Sequence, residues 1–227
     1  MNNALDENEL KSQTMNERYY NKLLLAYLRA ATGETTCEDL ESLMTSAKTK
    51  EIKYYDFKRS QPLLPRVKMV LGFLKALQFN TLLDVGSGRG AFLWPFMDEF
   101  PNVETFSLDL LPHRIDVLQK VRDGGILRLH PMLGDIRQLD FDDSSMDVVT
   151  LLEVLEHIPD VEAAVRNAVR IAKQCVVVSV PSKPDDNPEH IHLLTKDKLT
   201  ALFNEAGCPK LHFSGVPEHL ILVASKC

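Results

Sequence analysis

Cysteine is scarce in this 227-residue chain. It occurs at Cys37, Cys175, Cys208 and Cys227, and no two of these stand in C-x-x-C spacing. That pattern excludes a cysteine-only zinc module and a disulfide-stapled miniprotein. Long apolar runs are missing as well. The strongest, around Cys175–Val180, falls far short of the roughly 20 residues of a membrane helix. The opening MNNALDENELKSQ is polar and acidic, unlike a secretory leader. The chain has no excess of positive charge, with 26 basic against 32 acidic residues and a formal charge of −6. That balance disfavours non-specific binding to nucleic acid or anionic membranes. The expectation is a cytoplasmic protein with reduced thiols and no membrane partner. Nothing in the pattern indicates an oligomeric state.

Hydrophobic residues make up 44% of the chain and charged residues 26%, enough apolar material at this length for a full core. Charge is distributed unevenly. Residues 48–75 carry eight basic and two acidic side chains, while residues 1–47 carry four and eight. The basic stretch includes Tyr54 and Tyr55 and reads either as a solvated face or as a strip that contacts an anion. Apolar residues at helical spacing predict a helix over residues 16–31. Thr36, followed by Asp39, is a candidate cap for a second helix. Pro65 suits the first turn of a third. Residues 1–65 are therefore expected to form a helical cap or lid, and residues 66–227 the main domain.

From residue 80 onward strands and helices alternate. Strands are predicted at Leu82–Val85, Val103–Leu108, Leu127–Leu133, Met146–Leu152 and Cys175–Val180. Helices are expected from Pro112, over 160–173 and over Thr195–Ala206. Two closing strands, near 210–214 and 219–224, flank a short Gly-Val-Pro connection that favours an antiparallel hairpin. The pattern implies an α/β fold with a mostly parallel sheet covered by helices on both faces.

The segment Asp84-Val85-Gly86-Ser87-Gly88-Arg89-Gly90 leaves a predicted strand and enters a predicted helix, the context of a nucleotide-type loop. It lacks the Gly-Lys-Ser/Thr of a phosphate-binding Walker loop. Asp84 would repel a pyrophosphate but suits an ammonium group, which argues against a nicotinamide oxidoreductase. Asp109, at the end of the second strand, can accept hydrogen bonds from both hydroxyls of a ribose. Asp135 and Ile136 could meet the amino group and face of an adenine. Together these residues resemble the class I S-adenosylmethionine-dependent methyltransferases. The resemblance implies a Rossmann-like seven-stranded sheet whose last strand is inserted antiparallel, with S-adenosylmethionine as cofactor. It further implies cofactor contacts from Asp84, Gly86, Ser87, Gly88, Gly90, Asp109, Leu110, Asp135, Ile136 and Glu153.

Methyl transfer needs alignment above all, and it needs a base when the acceptor is a hydroxyl. The fourth strand runs into Glu153-Val154-Leu155-Glu156-His157. On a helical turn the two acids and the histidine would share one face. His190 and His192 follow the fifth strand and open on the same sheet edge. This E-V-L-E-H-I segment resembles ubiquinone-type O-methyltransferases, and Glu153 and His157 are taken as the catalytic candidates. The donor set admits a divalent metal, to which no residue is assigned. The expected function is methyl transfer to a small-molecule acceptor, at oxygen. The E-x-x-E-H spacing also resembles metal-assisted RNA 3′-end 2′-O-methyltransferases, which makes a nucleic-acid acceptor the second reading. A non-catalytic, cofactor-binding regulatory protein on the same fold is a third.

Overall fold

A computed structural model describes residues 18–184 and 186–226. Five helices precede or interleave with the first strands: α1 Asn21–Thr32, α2 Leu40–Thr49, α3 Pro65–Leu74, α4 Leu93–Glu99 and α5 Pro112–Asp123. Two more follow the fourth strand, α6 Val161–Ile171 and α7 Lys196–Glu205. The strands are β1 Thr81–Val85, β2 Glu104–Asp109, β3 Leu129–Leu133, β4 Met146–Leu152, β5 Ala172–Pro181, β6 Lys210–Val216 and β7 His219–Ser225.

The seven strands form one sheet in the order β3-β2-β1-β4-β5-β7-β6. The pairs from β3 through β5 are parallel, and β7 runs antiparallel to both β5 and β6. This is the Rossmann-like architecture that the methyltransferase resemblance implies, on the α/β pattern predicted from strand–helix alternation. The expected hairpin forms, and its last strand lies inside the sheet with β6 outermost. Strand order reverses between β1 and β4, so the loops after β1, β2, β4 and β5 open where such sheets bind ligands.

Alternate strand residues feed two separate cores, as the period of two requires. Leu82, Val148, Cys175, Val177, Ile221 and Val223 face a cluster shared with α1 to α5. Leu83, Val85, Val149, Leu151, Val176 and Val178 face a cluster beneath α6 and α7. α1 buries Leu23, Leu24, Ala26, Tyr27 and Leu28. With Leu43, Ala47 and Phe57, these residues continue the first core rather than form one of their own. Phe57 stacks on Trp94 of α4 with ring centroids 4.9 Å apart.

Helix ends differ in places from the sequence expectation. α1 begins at Asn21, after a bridge between Tyr19 and Lys58; the expected start at residue 16 lies outside the described residues. The cap of α2 is Asp39, whose carboxylate accepts from the Glu41 and Ser42 amides. Thr36, three residues earlier, is too far from the first turn to do this. Pro65 opens α3 and Thr195 caps α7, as expected. No described helix is long and apolar enough to cross a membrane.

Candidate active site

The loop after β1 is built on a buried carboxylate. Asp84 is 2% exposed. It accepts hydrogen bonds of 2.7 Å from Thr150 Oγ1 on β4 and from Ser87 Oγ in the loop. Ser87 Oγ also lies 2.5 Å from Ser107 Oγ of β2. Burial pushes the Asp84 carboxyl up to about 6, although both hydroxyl bonds act the other way. Ser87 therefore ties the loop to the sheet.

Two glycines are required by close approach. Gly86 has φ +69°, and a Cβ there would meet Val154 Cγ2 at 2.6 Å. Gly90 has φ +80°, and its Cβ would fall 2.2 Å from Trp94 Nε1. The loop thus packs against the β4 exit on one side and α4 on the other.

Asp109 ends β2 and is 8% exposed. One oxygen accepts the Gly88 amide at 3.0 Å, the other the Leu111 amide at 2.9 Å. The acid at the second strand end thereby fixes the glycine loop and its own following turn. Beside it, Leu110 and Leu111 are 62% and 48% exposed, although both are large and apolar. They line a cavity of about 630 Å³ together with Gly86, Gly88, Asp109, Gly134, Asp135, Ile136, Glu153 and His157. Asp84, Ser87 and Gly90 are not on that wall; Gly90 lines a neighbouring cavity of about 620 Å³.

Asp135 caps the short turn Ile136–Gln138 and accepts from the Arg137 side chain through both oxygens. The Arg137 guanidinium holds this carboxyl below the usual aspartate range. Ile136 is buried at 3% and presents an apolar wall.

At the end of β4 the geometry departs from the single helical face expected for Glu153, Glu156 and His157. Glu153 adopts φ +59°, and residues 155–157 form a tight 3-10 turn. The left-handed step sends the Glu153 carboxylate toward β5 and β7, where Ser179 Oγ donates at 2.7 Å and His219 Nε2 lies 3.1 Å away. Glu156 points inward and is fully buried. Its backbone carbonyl accepts the amides of Ile191 and His192 at 3.0 and 3.3 Å, anchoring the loop after β5. His157 Nδ1 lies 2.9 Å from the Glu189 carbonyl. A carbonyl only accepts, so Nδ1 carries a hydrogen, and in the neutral ring the lone pair is on Nε2.

The later histidines separate. His190 packs edge-on to His157, with ring centroids 4.8 Å apart, and ligand atoms of Glu156, His157 and His190 lie within 4.8 Å of one another. His192 Nε2 instead donates to the Ile158 carbonyl at 3.0 Å. The structure therefore groups three of the five residues predicted by spacing, while Glu153 bonds to Ser179 and His219 and shares only the cavity wall with His157. His219, Ser179, Arg66 and Arg114 were not found from sequence. Each belongs to an element remote in the chain, and no local motif marks it. Arg66 Nε is 3.9 Å from Glu153, and Arg114 Nη1 is 3.4 Å from Asp56.

The sheet order, glycine loop and acid-rimmed cavity define a Rossmann-like domain of the kind that holds a nucleoside cofactor. Residues 83–178 match a family described as a methyltransferase domain. Solved structures agree in fold. A SAM-dependent methyltransferase from Aquifex aeolicus gives a TM-score of 0.54 at 15% identity, over 70% of this chain and 96% of that one. The magnesium protoporphyrin IX methyltransferase of Synechocystis, with bound SAH, gives 0.58 at 16%, over 71% and 82%. An O-methyltransferase family protein from Burkholderia thailandensis gives 0.55 at 17%, over 70% of this chain and 57% of its own length. No curated protein sequence matches. Residues 83–178 therefore carry a methyltransferase domain, set in a sheet that shares the fold of S-adenosylmethionine-dependent methyltransferases.

Proposed function

We propose that this enzyme methylates a hydroxyl oxygen of a small-molecule acceptor. The observation that carries the reading is the orientation of His157. The Glu189 carbonyl holds Nδ1 as the donor, which leaves Nε2 to serve as the base in a ring that lines the cavity with Glu153 and Gly86. The sulfonium donor supplies an activated methyl group when bound. The chain's own contribution is to position the two substrates and to accept the hydroxyl proton at His157 Nε2.

In this reading Asp109 receives the ribose hydroxyls, with Leu110 beside it. Ile136 covers the adenine and Asp135 faces its edge. Gly86, Gly88 and Glu153 line the cavity at the aminoacyl end; Asp84, Ser87 and Gly90 shape the loop from behind that wall, and the buried Asp84 charge favours an ammonium through it. The exposed Leu110 and Leu111 support this, because a flat ring system would cover them. Residues 1–65 act as a lid on the domain of residues 66–227. Supporting that role, Arg18, Tyr20 and the stretch around Tyr55 and Arg59 border the glycine loop.

The test is turnover of labelled donor against pools of hydroxylated small molecules and of RNA, for wild type and His157→Ala. Labelling of small molecules that His157→Ala largely abolishes, without loss of SAH binding, is the expected result. Labelling confined to RNA, or unaffected by the substitution, would overturn it.

A further inference from the structure

The second cavity, of about 620 Å³, lies across the glycine loop from the first. Gly88 lines one cavity and Arg89 and Gly90 the other, and the Asp56–Arg114 ion pair joins the two walls. Its chemistry is unlike that of the rest of the protein. Four cations border it, Arg18, Lys58, Arg59 and Arg89, in a chain with a net charge of −6. The one carboxylate on its wall, Asp56, faces Arg114 of the other cavity. Arg59 is anchored by Asp98 at 2.9 Å and lies over the Tyr20 ring at 4.4 Å. Among the described residues, no carboxylate forms an ion pair with Arg18, Lys58 or Arg89.

Cations gathered on a concave wall repel one another, and an anion bound among them relieves that repulsion. Guanidinium and ammonium groups together suit phosphoryl oxygens, the first by paired N–H donors and the second as a point charge. Ser60 and Gln61 add neutral hydrogen-bonding groups to the same wall. Tyr55 is 70% exposed at this site, and Lys58 Nζ lies over its ring at 5.9 Å, so the aromatic side chain adds apolar surface beside the cations.

We propose that this cavity binds the acceptor through a phosphate ester, so that the enzyme methylates a phosphorylated small molecule. The inference rests on the methyltransfer reading and specifies its substrate class. The lid segment then supplies the recognition, and the acceptor reaches the methyl donor across the glycine loop.

The test uses the full chain and inorganic pyrophosphate as the probe, titrated calorimetrically at low salt with and without saturating SAH. Wild type should bind pyrophosphate in both states. The Arg18→Ser, Lys58→Ser double variant changes two exposed side chains. It should bind pyrophosphate at least about tenfold more weakly while binding SAH as wild type does. Equal pyrophosphate affinity in wild type and variant, or no binding at all, overturns the proposal. Displacement of SAH by pyrophosphate also overturns it, because the cations would then serve the cofactor. A second arm compares labelling of a small-molecule extract before and after phosphatase treatment. Loss of labelling is expected, and unchanged labelling refutes the phosphate ester alone. Failure of SAH to bind would refute the cofactor assignment itself, which the pyrophosphate titration of the SAH-free protein does not depend on.

Discussion

His219 Nε2 lies 3.1 Å from Glu153 Oε2, joining the first residue of β7 to the exit of β4. The other ring nitrogen of His219 faces the Pro217 carbonyl at 3.1 Å. Both neighbours are acceptors, so the contact is satisfied when a proton sits between Nε2 and the carboxylate. His219→Leu should leave Glu153 held by Ser179 alone at hydrogen-bond distance. Misplacement of a group beside the donor can cost up to about 10²-fold in rate. The expected result is a lower kcat and an altered pH–rate profile with SAH affinity little changed, measured by steady-state kinetics and calorimetry. Parallel losses in both quantities would assign His219 to the fold.

In the proposed cofactor arrangement, the buried Asp84 charge should make cofactor binding pH-dependent. Burial raises its carboxyl from 3.8 to about 6 in the free protein. A raised acid favours the protonated folded state. Its contribution to stability is complete below about 3.8 and is lost as pH rises through about 6. A bound ammonium group favours the charged form, so SAH binding should strengthen between pH 5 and 7 and release a proton. Calorimetry in buffers of different ionisation enthalpy detects that release, and Asp84→Asn should abolish it.

Asp109→Ala removes the acceptor for the Gly88 and Leu111 amides along with the proposed ribose contact. SAH affinity should fall by about 1–3 kcal/mol. A calorimetric titration that matches wild type would remove Asp109 from the cofactor site.

The packing of the N-terminal helices on the domain is open to a single-atom test. A Cβ on Gly124, just after α5, would lie 1.7 Å from the Ala26 carbonyl oxygen of α1. Two backbones meet there and neither can yield by a rotamer change, so Gly124→Ala should cost about 1–3 kcal/mol. Gly72 in α3 has nothing within 4 Å of its added Cβ. Gly72→Ala should therefore stabilise by up to about 1 kcal/mol. Thermal melts of the pair separate backbone contact from helix propensity.

His157→Ala should reduce turnover on a hydroxyl acceptor by roughly 10²–10⁴-fold. The cluster of Glu156, His157 and His190 makes a chelator control necessary. Turnover that survives chelation but not the substitution supports a base. Loss under both, reversed by a divalent ion, supports a metal centre.

Much of the fold was legible because its signals are local. Buried strands read as β-branched runs at β4 and β5, and Pro65, Pro112 and Thr195 mark helix starts. The glycines that turn the β1 loop stand in the sequence itself, as does the acid that ends β2. The start of α2 was misplaced because Thr36 and Asp39 are both plausible caps. Only the backbone path decides which oxygen reaches the first-turn amides.

The site was legible in part. Sequence determined that Asp84, the glycine loop, Asp109, Asp135 and Glu153 sit at strand ends, because strand order and loop position follow from alternation. Tertiary structure decided where their side chains go. The φ of +59° at Glu153 breaks the helical spacing that would have grouped it with Glu156 and His157. It hands the carboxylate to Ser179 and to His219, 66 positions along the chain. The four cations around the second cavity come from three separate stretches, which only the docking of residues 18–62 against the glycine loop brings together. Local periodicity fixes which elements form. Contacts between elements distant in sequence depend on backbone turns and packing, and these leave no local pattern to read.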